Sequence, residues 1–70
     1  MFLDELAEAE RILRQTPEAG LAYATHRTGV VRRLLLPGTK HHLYYRYRSD
    51  RNEIMVLTVW GAPRERGPRL

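Results

Sequence analysis

The chain reads as a small α+β domain, one N-terminal helix packed on a three-stranded antiparallel β-meander. Three observations predict it. Apolar residues recur at three- and four-residue spacing over residues 2–15. Three runs rich in β-branched, aromatic and aliphatic residues then follow between positions 30 and 60. The connections between those runs are short, and short connections join antiparallel neighbours.

In the first segment Phe2, Leu3, Leu6, Ala9, Ile12 and Leu13 make the apolar stripe, with Asp4, Glu5, Glu8, Arg11 and Arg14 between them. That is the spacing of an amphipathic helix. Its acids come early and its arginines late, which suits the helix dipole, and Glu10 with Arg14 forms an i,i+4 pair. Pro17 disfavours helical geometry at Thr16, so the helix should end there, with Gly20 supplying a turn.

Leu21 to Gly29 is weakly patterned. Val30 to Leu36, His41 to Arg48 and Ile54 to Trp60 are the three β-type runs, joined by the turn Pro37-Gly38-Thr39-Lys40 and the polar loop Ser49 to Glu53. The middle run should lie in the centre. Alternation puts Leu43, Tyr45 and Tyr47 on one face and His42, Tyr44, Arg46 and Arg48 on the other. The first face should meet the helix, and the second should be free to bind. In the last run Ile54, Val56 and Trp60 fall on one face and Met55, Leu57 and Val59 on the other, so this strand wants cover on both sides.

At 70 residues the chain is one domain, which excludes a multidomain enzyme with separate cofactor and substrate modules. A core this small supplies roughly 3–5 kcal/mol, so a partner or self-association is expected to help. With no cysteine, disulfides and thiolate metal sites are excluded. A cytoplasmic location is the expectation, since neither a secretory leader pattern nor an apolar run of about 20 residues is present. Residues 1–20 carry net −3 and residues 21–70 net +7, with nine arginines among the ten bases of the latter. An anionic partner is expected for a surface so rich in planar, fork-shaped cations.

Metal binding is disfavoured, because His41 and His42 alternate to opposite faces and His26 stands apart. No glycine-rich phosphate loop, carboxylate pair for two-metal work, or Ser or Cys nucleophile motif occurs. His42, Tyr44, Arg46 and Arg48 together are residue types that move protons and neutralise a phosphorane-like transition state, although the plainer reading is an ordinary exposed sheet face. Trp60 beside Gly61 reads first as a core lid and second as an interface anchor. Arg64, Arg66 and Arg69 would extend a basic surface.

A helix ending in a Pro and Gly turn leads to Val31-Arg32-Arg33-Leu34-Leu35, then to His42-Leu43-Tyr44-Tyr45-Arg46-Tyr47, then to Val59-Trp60-Gly61-Ala62-Pro63-Arg64. In this order the parts resemble the RelE/ParE superfamily of toxins from bacterial type II toxin-antitoxin systems, over residues 2–70. The resemblance implies a single toxin domain, without cofactor, neutralised by a cognate antitoxin. Family members carry a strand and a helix ahead of the helix seen here, and their absence implies a start placed inside a longer frame, a shortened form, or elements supplied by another chain. Exposed apolar surface follows in each case, with Leu6, Leu13 and Leu57 as antitoxin-binding positions and homo-oligomers as a further expectation.

The family divides by target. RelE-like members are ribosome-dependent mRNA endonucleases, and the matching positions here are Arg33, His42 and Arg64. No tyrosine follows Trp60, so the C-terminal catalytic tyrosine of RelE has no counterpart. ParE-like members poison DNA gyrase without a nuclease set, and the Trp60-Gly61-Ala62 ending looks closer to them. The resemblance therefore implies a gyrase-binding toxin that uses Tyr44, Arg46, Arg48, Trp60, Arg64 and Arg66. The alternatives are an mRNA endonuclease, with Arg33 and Arg64 on the scissile phosphate and His42 as proton carrier, and an inactive remnant of the family.

Overall fold

A computed structural model describes residues 2–27, 29–61 and 68. It is α+β: helix α1 (Phe2–Gln15) precedes strands β1 (Leu21–His26), β2 (Gly29–Leu36), β3 (His41–Arg48) and β4 (Glu53–Gly61). The strands form one antiparallel sheet in the order β1-β2-β3-β4. The helix and the three expected strands stand where the periodicities put them. The fourth strand, β1, is new, so the middle run shares the centre of the sheet with β2.

β1 escapes pattern reading because a bulge interrupts it. Ala22 pairs with Arg32 and Ala24 with Val31, which leaves Tyr23 as the extra residue. His26 pairs with Gly29, whose φ of +137° is open to glycine alone. The β2–β3 and β3–β4 turns each use a left-handed residue, Lys40 at φ +56° and Asn52 at φ +50°, the latter a residue type that tolerates this region.

The helix face of the sheet holds the core. Ala9 and Leu13 of α1 meet Leu36, Leu43 and Tyr45, all buried, with Phe2, Leu6, Leu34, Tyr47, Ile54 and Val59 packed around them. The smallest Cα extent of the molecule is 14 Å, the thickness of one helix on one sheet. Among the described residues no helix is long and apolar enough to cross a membrane.

Two polar clamps fix the helix to the sheet. Glu5, in the first turn of α1, accepts hydrogen bonds from the backbone N–H groups of Gly38 and Thr39 and from the Thr39 hydroxyl, at 2.8 and 2.6 Å for the Thr39 pair. The Thr39 hydroxyl bond in particular holds its carboxyl below the ordinary value. At the other end, the Tyr45 hydroxyl accepts from Gly20 N–H (2.9 Å) and donates to the Pro17 carbonyl (2.7 Å). Arg32 donates to the Gly20 carbonyl at 3.0 Å and reaches Glu18 at 3.3 Å. A Cβ on Gly20 would stand 2.7 Å from the Arg33 carbonyl and 2.9 Å from the Tyr45 ring. Only glycine lets the loop approach β2 and β3 this closely.

A second bulge changes the expected faces of β4. Tyr44 pairs with Thr58 and Tyr45 with Val56, so Leu57 is an extra residue. Crossing it reverses the alternation. Val59, opposite Leu43, therefore joins the helix face, and Trp60, opposite His42, joins the other. The expected grouping of Trp60 with Ile54 and Val56 is corrected accordingly.

Candidate functional site: the second face of the sheet

Directly opposed residues of an antiparallel pair share a face. The register therefore gathers Val31, Arg33 and Leu35 of β2, His42, Tyr44, Arg46 and Arg48 of β3, and Met55, Thr58 and Trp60 of β4 on the side away from α1. The alternation of β3 is as read from the sequence. Its neighbours divide the paired arginines of β2: Arg32 goes to the helix face and is held by Gly20 and Glu18, whereas Arg33 goes to the second face.

The centre of this face is an aromatic and cationic cluster. The rings of Tyr23 and Tyr44 meet edge-on at 4.7 Å, and His42 and Tyr44 do so at 6.1 Å. The Arg33 guanidinium lies 5.7 Å from the centroid of the Tyr23 ring, a distance at which the ring quadrupole attracts the cation. Among the described residues no carboxylate pairs with Arg33. Burial, reinforced by that guanidinium, holds the His42 imidazole below its ordinary value. The result is a neutral imidazole beside a permanent cation, which can accept a proton. Among the described residues the buried Nε of Arg46 has no hydrogen-bond partner, while Arg48 reaches Asp50 at 3.6 Å on the exposed margin.

Tyr44 requires a correction. It lies on the expected face but is only 2% exposed, and its neighbour Val31 is at 0%. Its ring is covered rather than offered to a partner. The described residue outside the sheet that reaches this cluster is Pro68, which is buried and whose carbonyl accepts a hydrogen bond from the Tyr23 hydroxyl at 2.7 Å. Trp60 is half-buried. Arg64 and Arg66 lie outside the described residues.

On the helix face a groove of about 430 Å³ opens between α1 and β4, lined by Leu6, Leu13, Ile54 and Val56. Met55 and Val56 are 52% and 55% exposed. Of the positions expected to meet an antitoxin, Leu6 lines this groove and Leu57 is the half-buried bulge residue. Leu13 is buried in the core and forms only the groove floor, so it is not freely available. His41 is on the helix face, 5.2 Å from the Phe2 ring, opposite in side to His42 as alternation required. Among the described residues no group of three or more His, Cys, Asp or Glu side chains converges on a metal-sized site.

Tyr23 and Pro68 are the site residues that pattern reading missed. A signal for Tyr23 existed: Leu21, Tyr23 and Thr25 alternate in size with Ala22 and Ala24, a two-residue period. Comparison with protein-family models, curated proteins and solved structures finds no match to this chain.

Proposed function

We propose that this chain is the toxin of a type II toxin-antitoxin system, ParE-like, which inhibits DNA gyrase by binding it in the cytoplasm and is neutralised by a cognate antitoxin. The observation that supports this reading is the succession of parts. A helix, a strand with paired arginines, the strand His42 to Tyr47 and an apolar strand ending in Trp60-Gly61 follow one another into a single antiparallel sheet. Arg33, Arg46 and Arg48 give its second face a positive field that suits an acidic partner surface. Trp60 on the same face is the anchor type that interfaces favour. The groove beside α1 offers the antitoxin an apolar seat through Leu6 and Val56. Purified gyrase should stop supercoiling DNA when the protein is saturating, and undiminished supercoiling would end this reading.

A second reading rests on a separate observation, the placing of His42 and Arg33 on one face around Tyr44. That pair has the chemistry of a proton carrier next to a phosphate-binding cation. Under it, mRNA is cut in a translating extract, and His42→Ala abolishes the cutting. Under the gyrase reading the same substitution only weakens binding. Expression without antitoxin and without any growth defect would mark an inactive remnant of the family.

A further inference from the structure

We propose that the outer edge of β4 pairs with the same edge of a second copy of this chain, antiparallel about a two-fold axis between Leu57 and Thr58, so that two four-stranded sheets join into one.

Among the described residues β4 is bonded to a strand on one side only, by β3. Natural edge strands discourage further pairing by being short, charged, bulged or proline-bearing. β1, the other edge, has six residues and a bulge at Tyr23. β4 has nine residues, and its sole charged residue is Glu53, at its first position. Met55 and Val56 are 52% and 55% exposed. Met55 lies opposite Arg46 on the second face and Val56 opposite Tyr45 on the helix face. Apolar surface is therefore bare on both sides of this edge. A helix laid in the groove beside α1 would cover Val56 alone, whereas a further strand covers both.

The register specifies which strand fits. Residues opposed across an antiparallel pair share a face, and the bulge at Leu57 reverses the alternation of β4. An added strand must therefore be apolar on both faces and change face at the same level. β4 meets both conditions itself. Ile54, Val56, Val59 and Gly61 belong to the helix face, while Met55 and Trp60 belong to the second. The two-fold sets Val56 against Val59, Ile54 against Gly61 and Met55 against Trp60 of the second copy, with each pair on one face. Both strands carry their extra residue at the axis, so neither falls out of step with the other.

Charge permits this occupant although each chain carries net +4. The two Glu53 side chains stand at opposite ends of the pair. Arg46 and Arg48 lie on β3, so each is three strand spacings, about 14 Å, from the β3 of the second copy. That exceeds the screening length of about 8 Å at physiological salt. The contact is about 27 Å long and about 10 Å deep, smaller than a long-lived interface. The dimer is accordingly weak and concentration-dependent.

Sedimentation equilibrium of the whole chain between roughly 10 μM and roughly 1 mM should show monomer passing into dimer. Val56→Lys alters a half-exposed side chain and puts a cation into the pairing edge. It should keep the chain monomeric throughout with an unchanged circular dichroism spectrum. The chain has no cysteine, so cross-linking reads the register independently of that variant. Val56→Cys combined with Val59→Cys should be trapped as a covalent dimer on mild oxidation, because opposed Cα atoms are about 4.5–5.5 Å apart. Either cysteine alone should not, since it would face its own copy across about 10 Å. A monomer at the highest concentration overturns the inference, as does a dimer that Val56→Lys leaves intact. Equal trapping of the single variants overturns the axis. A monomer whose β4 amides gain exchange protection only when another protein is added would give the edge to that protein and overturn the second copy. The inference goes beyond the toxin reading, and no gyrase or antitoxin enters these measurements, so either can fail while the other stands.

Discussion

Tyr44 and Tyr45 are neighbours in the chain and both are buried, yet they are buried by different means. Tyr45 points toward α1, lies among Leu13, Leu36 and Leu43, and has its hydroxyl satisfied on both sides by Gly20 and Pro17. Tyr44 points the other way, into a cluster of Tyr23, His42 and Arg33, where the Tyr23 hydroxyl also bonds the Pro68 carbonyl. The first arrangement spends apolar area and hydrogen bonds on stability. The second gathers cations and aromatic rings where no helix covers them. The two sides of one strand thus differ in what surrounds them, apolar and hydrogen-bonded on one, cationic and aromatic on the other.

If that division is right, damage to the helix side should be much larger than damage to the other. Leu13→Ala should cost about 3 kcal/mol by leaving a cavity under α1, close to the roughly 3–5 kcal/mol that a core of this size supplies. Urea denaturation should therefore find the variant barely folded at 25 °C. Gly20→Ala comes next, at about 2 kcal/mol, because its Cβ would overlap backbone and a fixed ring. The same titration checks it.

The Glu5 clamp gives a pH-dependent version of the comparison. Its carboxyl is more acidic in the folded chain than its ordinary value of 4.5, so its contribution is complete above that value and lost as pH falls through the lower folded value. Urea midpoints for wild type and Glu5→Gln should differ most near neutrality and converge in acid. The smallest effect belongs to the second face. Arg33→Gln should leave the urea midpoint nearly unmoved but shift the NMR titration of His42 upward toward 6.5. The shift is partial, since burial, the larger cause, remains. For wild-type His42 the depressed folded value means that stability is complete above 6.5 and declines as pH drops below it. An unmoved His42 titration would break the proposed coupling across this face.

The legible parts of the structure were those governed by an uninterrupted period. The helix over residues 2–15 and the β3 alternation kept their spacing from end to end, so both were read to within a residue. Strand β1 and the faces of β4 were not, and each failure sits at a bulge, Tyr23 in one case and Leu57 in the other. A bulge adds one residue without changing composition, and alternation cannot detect it from a single strand. The candidate site followed the same rule. His42 and Arg46 were placed on their face by alternation, whereas the Tyr23 ring against Tyr44 joins strands β1 and β3, a separation that local patterns do not span.

The bulge at Leu57 has a further consequence for how such a surface can change. Taking that residue into the ladder opposite Tyr44 would restore strict alternation and transpose Thr58 and Trp60 to the side of α1, with Val59 sent outward, while every side chain kept its identity. Pairing alone, at constant length and composition, thus decides whether the tryptophan is presented or withdrawn.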